Sequence, residues 1–262
     1  MKTAIAIAAH PDDIEMMMAG TLLLLKKTGY EIHYLNLSRG NCGSTEYPSA
    51  TIKKIRLAEA KEAAGILDAH FHPPFCNDLE IGYDIKALRR VAAIIREVKP
   101  TIVLTHPPED YMEDHVNTSR LAVTACFARG MRNFTTVPAT PFDNYNCTVY
   151  HSLPHTLTDN FRKRIIPGAY VNTTSIHKIK LKALKAHHSQ QNWLDTSQKM
   201  NSYLQTMEDV SLQVGKLSKQ FTHAEGWSRH SHVGFGEPGD DPLKDLGDDY
   251  LINEAYEKSL EL

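Results

Sequence analysis

His10, Asp12 and Asp13 stand almost side by side where an apolar run ends, in the stretch AIAAHPDDIE. An imidazole nitrogen close to carboxylate oxygens is a donor set that zinc accepts. A second stretch, EDYMEDH, ends at His115. Two histidines and one carboxylate, as in His10, Asp13 and His115, leave a coordination position open for water, which suits a catalytic metal better than a structural one. Asp12 is then a spare carboxylate able to take a proton from that water, and Pro11 stiffens the turn between them. Each residue also has an ordinary alternative. Asp12 and Asp13 are good helix caps, His10 can be a turn histidine, and nothing local forces the two stretches together. The first turn is acidic and free of glycine, which disfavours a phosphate or dinucleotide site.

Both stretches must be positioned by the elements around them. Residues 3–9 read as a fully buried strand and 13–28 as a helix stopped by Gly29. Strand 31–38, loop 39–49, helix 50–64, a short strand in 69–75, helix 84–98, strand 101–106 and helix 115–129 follow. This alternation predicts an α/β fold, a mostly parallel sheet with helices on both faces. Sites in such sheets form beyond the carboxyl ends of the strands. Two of those ends, after residue 9 and after residue 106, carry the chemistry, and they meet if the first and fourth strands are neighbours. Beyond residue 131, CTVYHSLP and GAYVNTT read as further strands and 176–188 as a helix. Met200, Tyr203, Met207, Val210, Val214, Leu217 and Phe221 form the apolar stripe of a helix over 196–221. That stripe packs within the chain or against a second copy, so a homo-oligomer is a possible state. The organisation expected is a core over 1–190 and a helical and loop extension over 191–262, packed on the same domain.

The 262 residues carry a net charge of −2, which gives no basis for nucleic acid or an anionic membrane as partner. Hydrophobic content of 42% and charged content of 23% fit a soluble globular protein. The run MMMAGTLLLL is too short to span a bilayer, and MKTAIAIAA reads as a core strand rather than a signal peptide. Cys42, Cys76, Cys126 and Cys147 form no C-x-x-C pair, so reduced thiols and a cytoplasmic location are expected.

AAHPDDIEMMMAGTL, SRGNCGS, IRLAEAKEAAGIL, TIVLTHPPEDYMEDHVNTSRLA and KALKAHHSQ follow one another over roughly residues 3–190. In that order they resemble the LmbE/PIG-L family of zinc-dependent de-N-acetylases. The resemblance implies a Rossmann-like fold and removal of an N-acetyl or related N-acyl group from a small-molecule amino sugar or glycoconjugate. It implies Zn2+ held by His10, Asp13 and His115, although these ligand types also accept other divalent metals. It makes Asp12 the general base that activates water. It places Arg56 near substrate, where the alternative is a helix-surface ion pair with Glu59. His187 and Gln190 fall beside the family's pocket, where the alternative is a helix-end cap.

One departure stands out. The family's H-x-D-H reads Met112-Glu113-Asp114-His115 here, and a thioether cannot donate a proton. Losing that histidine costs on the order of 10²-fold in rate unless another group replaces it. Tyr111, His106, His188, His230 and His232 are the candidate replacements. Asp114 is expected to serve catalysis by orienting a partner histidine or His115 itself, where the alternative is a cap for the helix that begins beside it. The competing expectation is a metal-containing protein that binds a sugar conjugate with weak or altered catalysis.

Overall fold

A computed structural model describes residues 2–191 and 203–260. Five parallel strands come first: β1 (Thr3–Ala8), β2 (Glu31–Asn36), β3 (His70–His72), β4 (Ile102–Thr105) and β5 (Thr148–Ser152). They are joined by α1 (Asp13–Met17), α2 (Ala19–Lys27), α3 (Ser49–Leu67), α4 (Ile85–Val98) and α5 (Glu113–Phe127). Then come β6 (Ala169–Asn172), α6 (His177–Lys185), α7 (Tyr203–Ser218), β7 (Ala224–Arg229), β8 (Tyr250–Ile252) and α8 (Glu254–Ser259). The sheet order is β3-β2-β1-β4-β5-β7-β6-β8. β1 and β4 are neighbours, with Ile7 opposite Thr105, so the loops after both strands open at the same end of the sheet.

The α/β architecture expected from the alternating pattern is the one the chain adopts. Successive residues of β1 point to opposite faces. Ala4, Ala6 and Ala8 pack with Ile14, Leu22, Ala60 and Leu184, while Ile5, Ile7 and Ala9 pack with Leu88, Val91, Leu121 and Ala125. All six residues of β1 are buried, which explains the continuous apolar run at the start of the sequence. The segment after residue 190 contributes strands as well as a helix and loops. β7 lies between β5 and β6 and runs antiparallel to both, and β8 pairs antiparallel with β6.

Of the helix expected over 196–221, the part before 203 lies outside the described residues. In α7 the stripe residues Tyr203, Met207, Val210 and Val214 are buried within the chain, so intrachain packing accounts for them. Among the described residues no helix is long and apolar enough to cross a membrane. All four cysteines are free.

The single helix expected over 13–28 is broken at Met18. The break frees the first amides of α2, and Glu225 of β7 takes them: Gly20 and Thr21 N–H donate to its carboxylate at 2.8 Å each. Thr21 Oγ1 and Lys180 Nζ donate to it as well, both at 2.7 Å. A carboxylate at a helix N-terminus is favoured by the unpaired amides and the helix dipole. Here it is fully buried and joins α2, α6 and β7. Glu225→Ala leaves these donors and a buried ammonium without a partner, and is expected to cost about 3–5 kcal/mol. A chemical denaturation curve measures it, with a Tm lowered on the order of 10 °C.

Candidate metal centre

β1 ends in the His10-Pro11-Asp12-Asp13 turn and β4 leads into the loop before α5, which carries Asp114 and His115 in its first turn. Because β1 and β4 are paired, the two loops meet. His10 Nδ1 and His115 Nε2 each lie 3.4 Å from Asp13 Oδ2. A tetrahedron with metal–ligand bonds of about 2.0–2.1 Å has edges of about 3.3–3.4 Å. Two edges of the triangle therefore have the length such a site requires, and its three ligand atoms all lie within 4.8 Å of one another.

The far nitrogen of each histidine faces a carboxylate. His10 Nε2 donates to Asp114 Oδ2 at 2.9 Å, and Asp114 also accepts the Leu79 N–H at 2.7 Å. His115 Nδ1 lies 3.2 Å from Asp110 Oδ1. Carboxylates in this position fix ring orientation and raise the basicity of histidine ligands. Asp114 therefore partners His10, not His115. Burial works against charge on both rings. Even so, Asp114 and Asp13 raise His10 to about 9, and Asp13 and Asp110 raise His115 to about 10. Burial likewise opposes the charge on Asp13, but His115 and the hydrogen bond with His10 hold it well below the usual carboxylate range. A pocket that draws positive charge to its centre this strongly suits a divalent cation.

His106 is a floor to the site. Its ring stacks on His115 with centroids 4.0 Å apart, and its Nε2 accepts the Ala9 N–H at 3.0 Å. Burial lowers it to about 4, so it is neutral. His106, Asp110 and His115 also bring ligand atoms together, but the Nε2 of His106 is already engaged by the backbone.

Asp12 caps α1 with φ 104°, a left-handed conformation that is costly for any residue but glycine. Its carboxylate meets two other groups. Tyr203 Oη donates to Oδ2 at 2.6 Å, and Arg56 Nη2 lies 3.6 Å from Oδ1. Burial raises Asp12 to about 6, against the pull of Arg56. Arg56 also donates to the Pro11 carbonyl at 2.5 Å. The alternative partner, Glu59, instead accepts from Ser189 N and Oγ at 2.8 and 2.6 Å. A glycine is needed at 40, where φ is +71° and a Cβ would lie 2.5 Å from Arg56 Cδ. At Gly43 a Cβ would meet both Arg56 Nη1 and Gln190 Oε1, at 2.7 and 2.9 Å. Gln190 thus lies on the Arg56 side of the site, with its Oε1 buried and unpaired. His187 is fully buried, 3.3 Å from Glu15 Oε2.

Of the five residues considered as replacements for the absent histidine, Tyr111 and His106 border the site. Tyr111 is half exposed, its ring edge-on to His115 at 5.6 Å. His188 is exposed. His230 pairs with His151 at 3.0 Å, and the His232 carbonyl accepts Phe235 and Gly236 N–H. A histidine that sequence reasoning did not name reaches the centre instead. His155 Nε2 lies 3.6 Å from Asp13 Oδ1, has no hydrogen-bond partner, and its ring is 5.5 Å from that of His115. It follows β5, the strand beside β4, so the strand-end rule applied once more to CTVYHSLPH points to it. Tyr203 was visible only as one member of an apolar stripe, and Asp110 only as a loop acid.

Residues 5–126 match a family model described as PIG-L, GlcNAc-PI de-N-acetylase. The chain is 28% identical to the diacetylchitobiose deacetylase of Thermococcus kodakarensis, over 86% of this chain and 82% of that one. It is 33% identical to the 4-oxalmesaconate hydratase of Pseudomonas putida, over 47% of this chain and 51% of that one. Among solved structures, the 4-carboxy-2-hydroxymuconate hydratase of Pseudomonas putida aligns with TM-score 0.73 at 26% identity, covering 87% of this chain and 96% of that one. The diacetylchitobiose deacetylase of Pyrococcus horikoshii shares the fold, with TM-score 0.73 at 21% identity over 92% and 88%.

Proposed function

Since the chain carries a PIG-L (LmbE-like) de-N-acetylase family domain, we propose that it is a zinc-dependent hydrolase removing an N-acetyl group from a small amino sugar or glycoconjugate. The observation that carries this is the donor triangle of His10, Asp13 and His115, with Asp114 and Asp110 behind its two histidines. These three residues would hold the metal, which when bound supplies Lewis acidity to an amide carbonyl and to water. Asp12 is the proton acceptor. Tyr203 and Arg56 fix its orientation. Arg56, His187 and Gln190 form the wall beside Asp12 and are positioned to meet the sugar.

His155 takes the task that Met112 cannot perform. Burial pushes its pKa down, and its Nε2, without a hydrogen-bond partner, lies 3.6 Å from Asp13 Oδ1 on the β5 side. There it can donate to the developing oxyanion or pass a proton to the leaving amine. His155→Ala is expected to lower kcat on the order of 10²-fold with metal content unchanged by atomic emission. Adding Met112→His to that variant is expected to restore part of the loss. An unaltered kcat would remove His155 from the reaction. The function as a whole is tested by amine release from N,N'-diacetylchitobiose and N-acetylglucosamine, with and without chelator. Full turnover by metal-free protein overturns it.

Similarity in sequence and in fold to Pseudomonas putida hydratase supports a second activity for the same residues. Adding water across a conjugated double bond forms one C–O and one C–H bond and expels no amine, so the proton that Asp12 takes from water is returned to carbon and no leaving group needs protonation. Arg56 would then pair with a substrate carboxylate. Loss of enoate absorbance from an unsaturated dicarboxylate, with no amine released from any acetylated sugar, selects this activity. Tight sugar binding with neither reaction selects the binding protein.

A further inference from the structure

We propose that His177, Glu208 and His223 form a second site for a divalent cation, separate from the centre at Asp13 and suited to zinc. The three residues come from different elements: His177 opens α6, Glu208 lies on α7 and His223 immediately precedes β7. One ligand atom from each lies within 4.8 Å of the other two. His223 Nε2 is 2.9 Å from Glu208 Oε1, and His177 Nε2 contacts Oε2 of the same carboxylate. The two imidazoles stack with centroids 3.9 Å apart and planes 20° apart, so both present the same nitrogen to one carboxylate.

The surroundings fit an ion that enters from solvent and is then sheltered. The side chains of His177, His223 and Glu208 are 9%, 14% and 30% exposed. Lys180, one turn along α6, is engaged by Glu225 at 2.7 Å and so is not the cation that Glu208 faces. Two imidazole nitrogens and one carboxylate oxygen form a set that favours zinc over magnesium or calcium. An ion here joins α6, α7 and β7. α6 leads toward His187 and α7 begins at Tyr203, the donor to Asp12. The second ion therefore fixes the spacing of the two helices that deliver these side chains to the Asp12 side of the first centre.

The experiment counts metal on the whole chain, stripped with chelator, titrated with zinc by calorimetry, and assayed by atomic emission after desalting. Two equivalents are expected for the natural sequence and one for His223→Gln, whose amide keeps a donor for Glu208. One is also expected for His115→Ala, and none when both changes are combined. In the His115→Ala background, saturating zinc is expected to raise Tm by about 5 °C or more, and adding His223→Gln abolishes that rise. If His115→Ala binds no zinc while His223→Gln still binds one, the cluster is a hydrogen-bonded trio and the proposal fails. His177→Gln provides an independent variant should His223→Gln not fold, checked by circular dichroism. No arm depends on turnover, so failure of the second site and failure of the proposed reaction read out separately.

Discussion

Asp13→Asn is expected to empty the first centre and reduce kcat/KM by about 10³-fold or more. Among the described residues, Asp13 is the carboxylate within 3.6 Å of His10, His106, His115 and His155 together. Its charge is the negative counterpart to two imidazoles that the site holds near protonation. The amide is close in size and neutral, so the change removes charge more than shape. A metal contributes several kcal/mol of transition-state stabilisation, and about 4 kcal/mol corresponds to roughly 10³-fold in rate. Atomic emission on the purified variant should show less than one tenth of the zinc bound at the first centre of the natural sequence. The comparison is best made in the His223→Gln background, where that centre is counted alone. A variant that keeps its metal and its turnover would mean that the histidines alone hold the ion.

Asp12→Asn separates proton transfer from metal binding. The asparagine oxygen can still accept from Tyr203, so the turn and the cap position have reason to persist. What is lost is basicity, and positioned general bases contribute on the order of 10²–10⁴-fold. The expected result is a kcat lower by that factor, a KM within a few-fold, and unchanged zinc. The contrast with Asp13→Asn is diagnostic, because the two aspartates are adjacent in sequence and alike in chemistry. They differ in what they meet: Asp13 faces His10 and His115, while Asp12 faces Tyr203 and Arg56. A fall in metal content matching that of Asp13→Asn would place Asp12 among the ligands instead.

The parts of this site that lie on β1 and β4 are readable in the sequence, because each loop directly follows a buried strand whose apolar run is continuous. His10, Asp13 and His115 converge because adjacent parallel strands place their following loops side by side, which is a consequence of strand order more than of any local motif. The partner of Asp114 was open to the sequence only as a choice, and contact with His10 decides it. The Arg56–Glu59 ion pair suggested by helical spacing does not form, because Ser189 and Asp12 offer better partners from distant parts of the chain. Tyr203 shows the limit most clearly. Its place in an amphipathic stripe describes its ring, while its hydroxyl acts on Asp12, and periodicity carries no information about the tip of an amphipathic side chain. The break at Met18 was equally hidden. It depends on a glutamate far along the chain that captures the freed amides.

The position of β7 has a consequence for how the protein is made. As the chain leaves the ribosome, β5 is complete well before residues 224–229 emerge, and β6 also precedes β7, which among the described residues bridges it to β5. At ordinary elongation speeds this interval is on the order of ten seconds. Throughout it, a nascent chain that already holds the whole first metal triangle presents an unpaired strand edge, the kind of surface that recruits other chains. Early stop codons or proteolysis after residue 190 would therefore leave a fragment that keeps its signature motif yet is prone to aggregation.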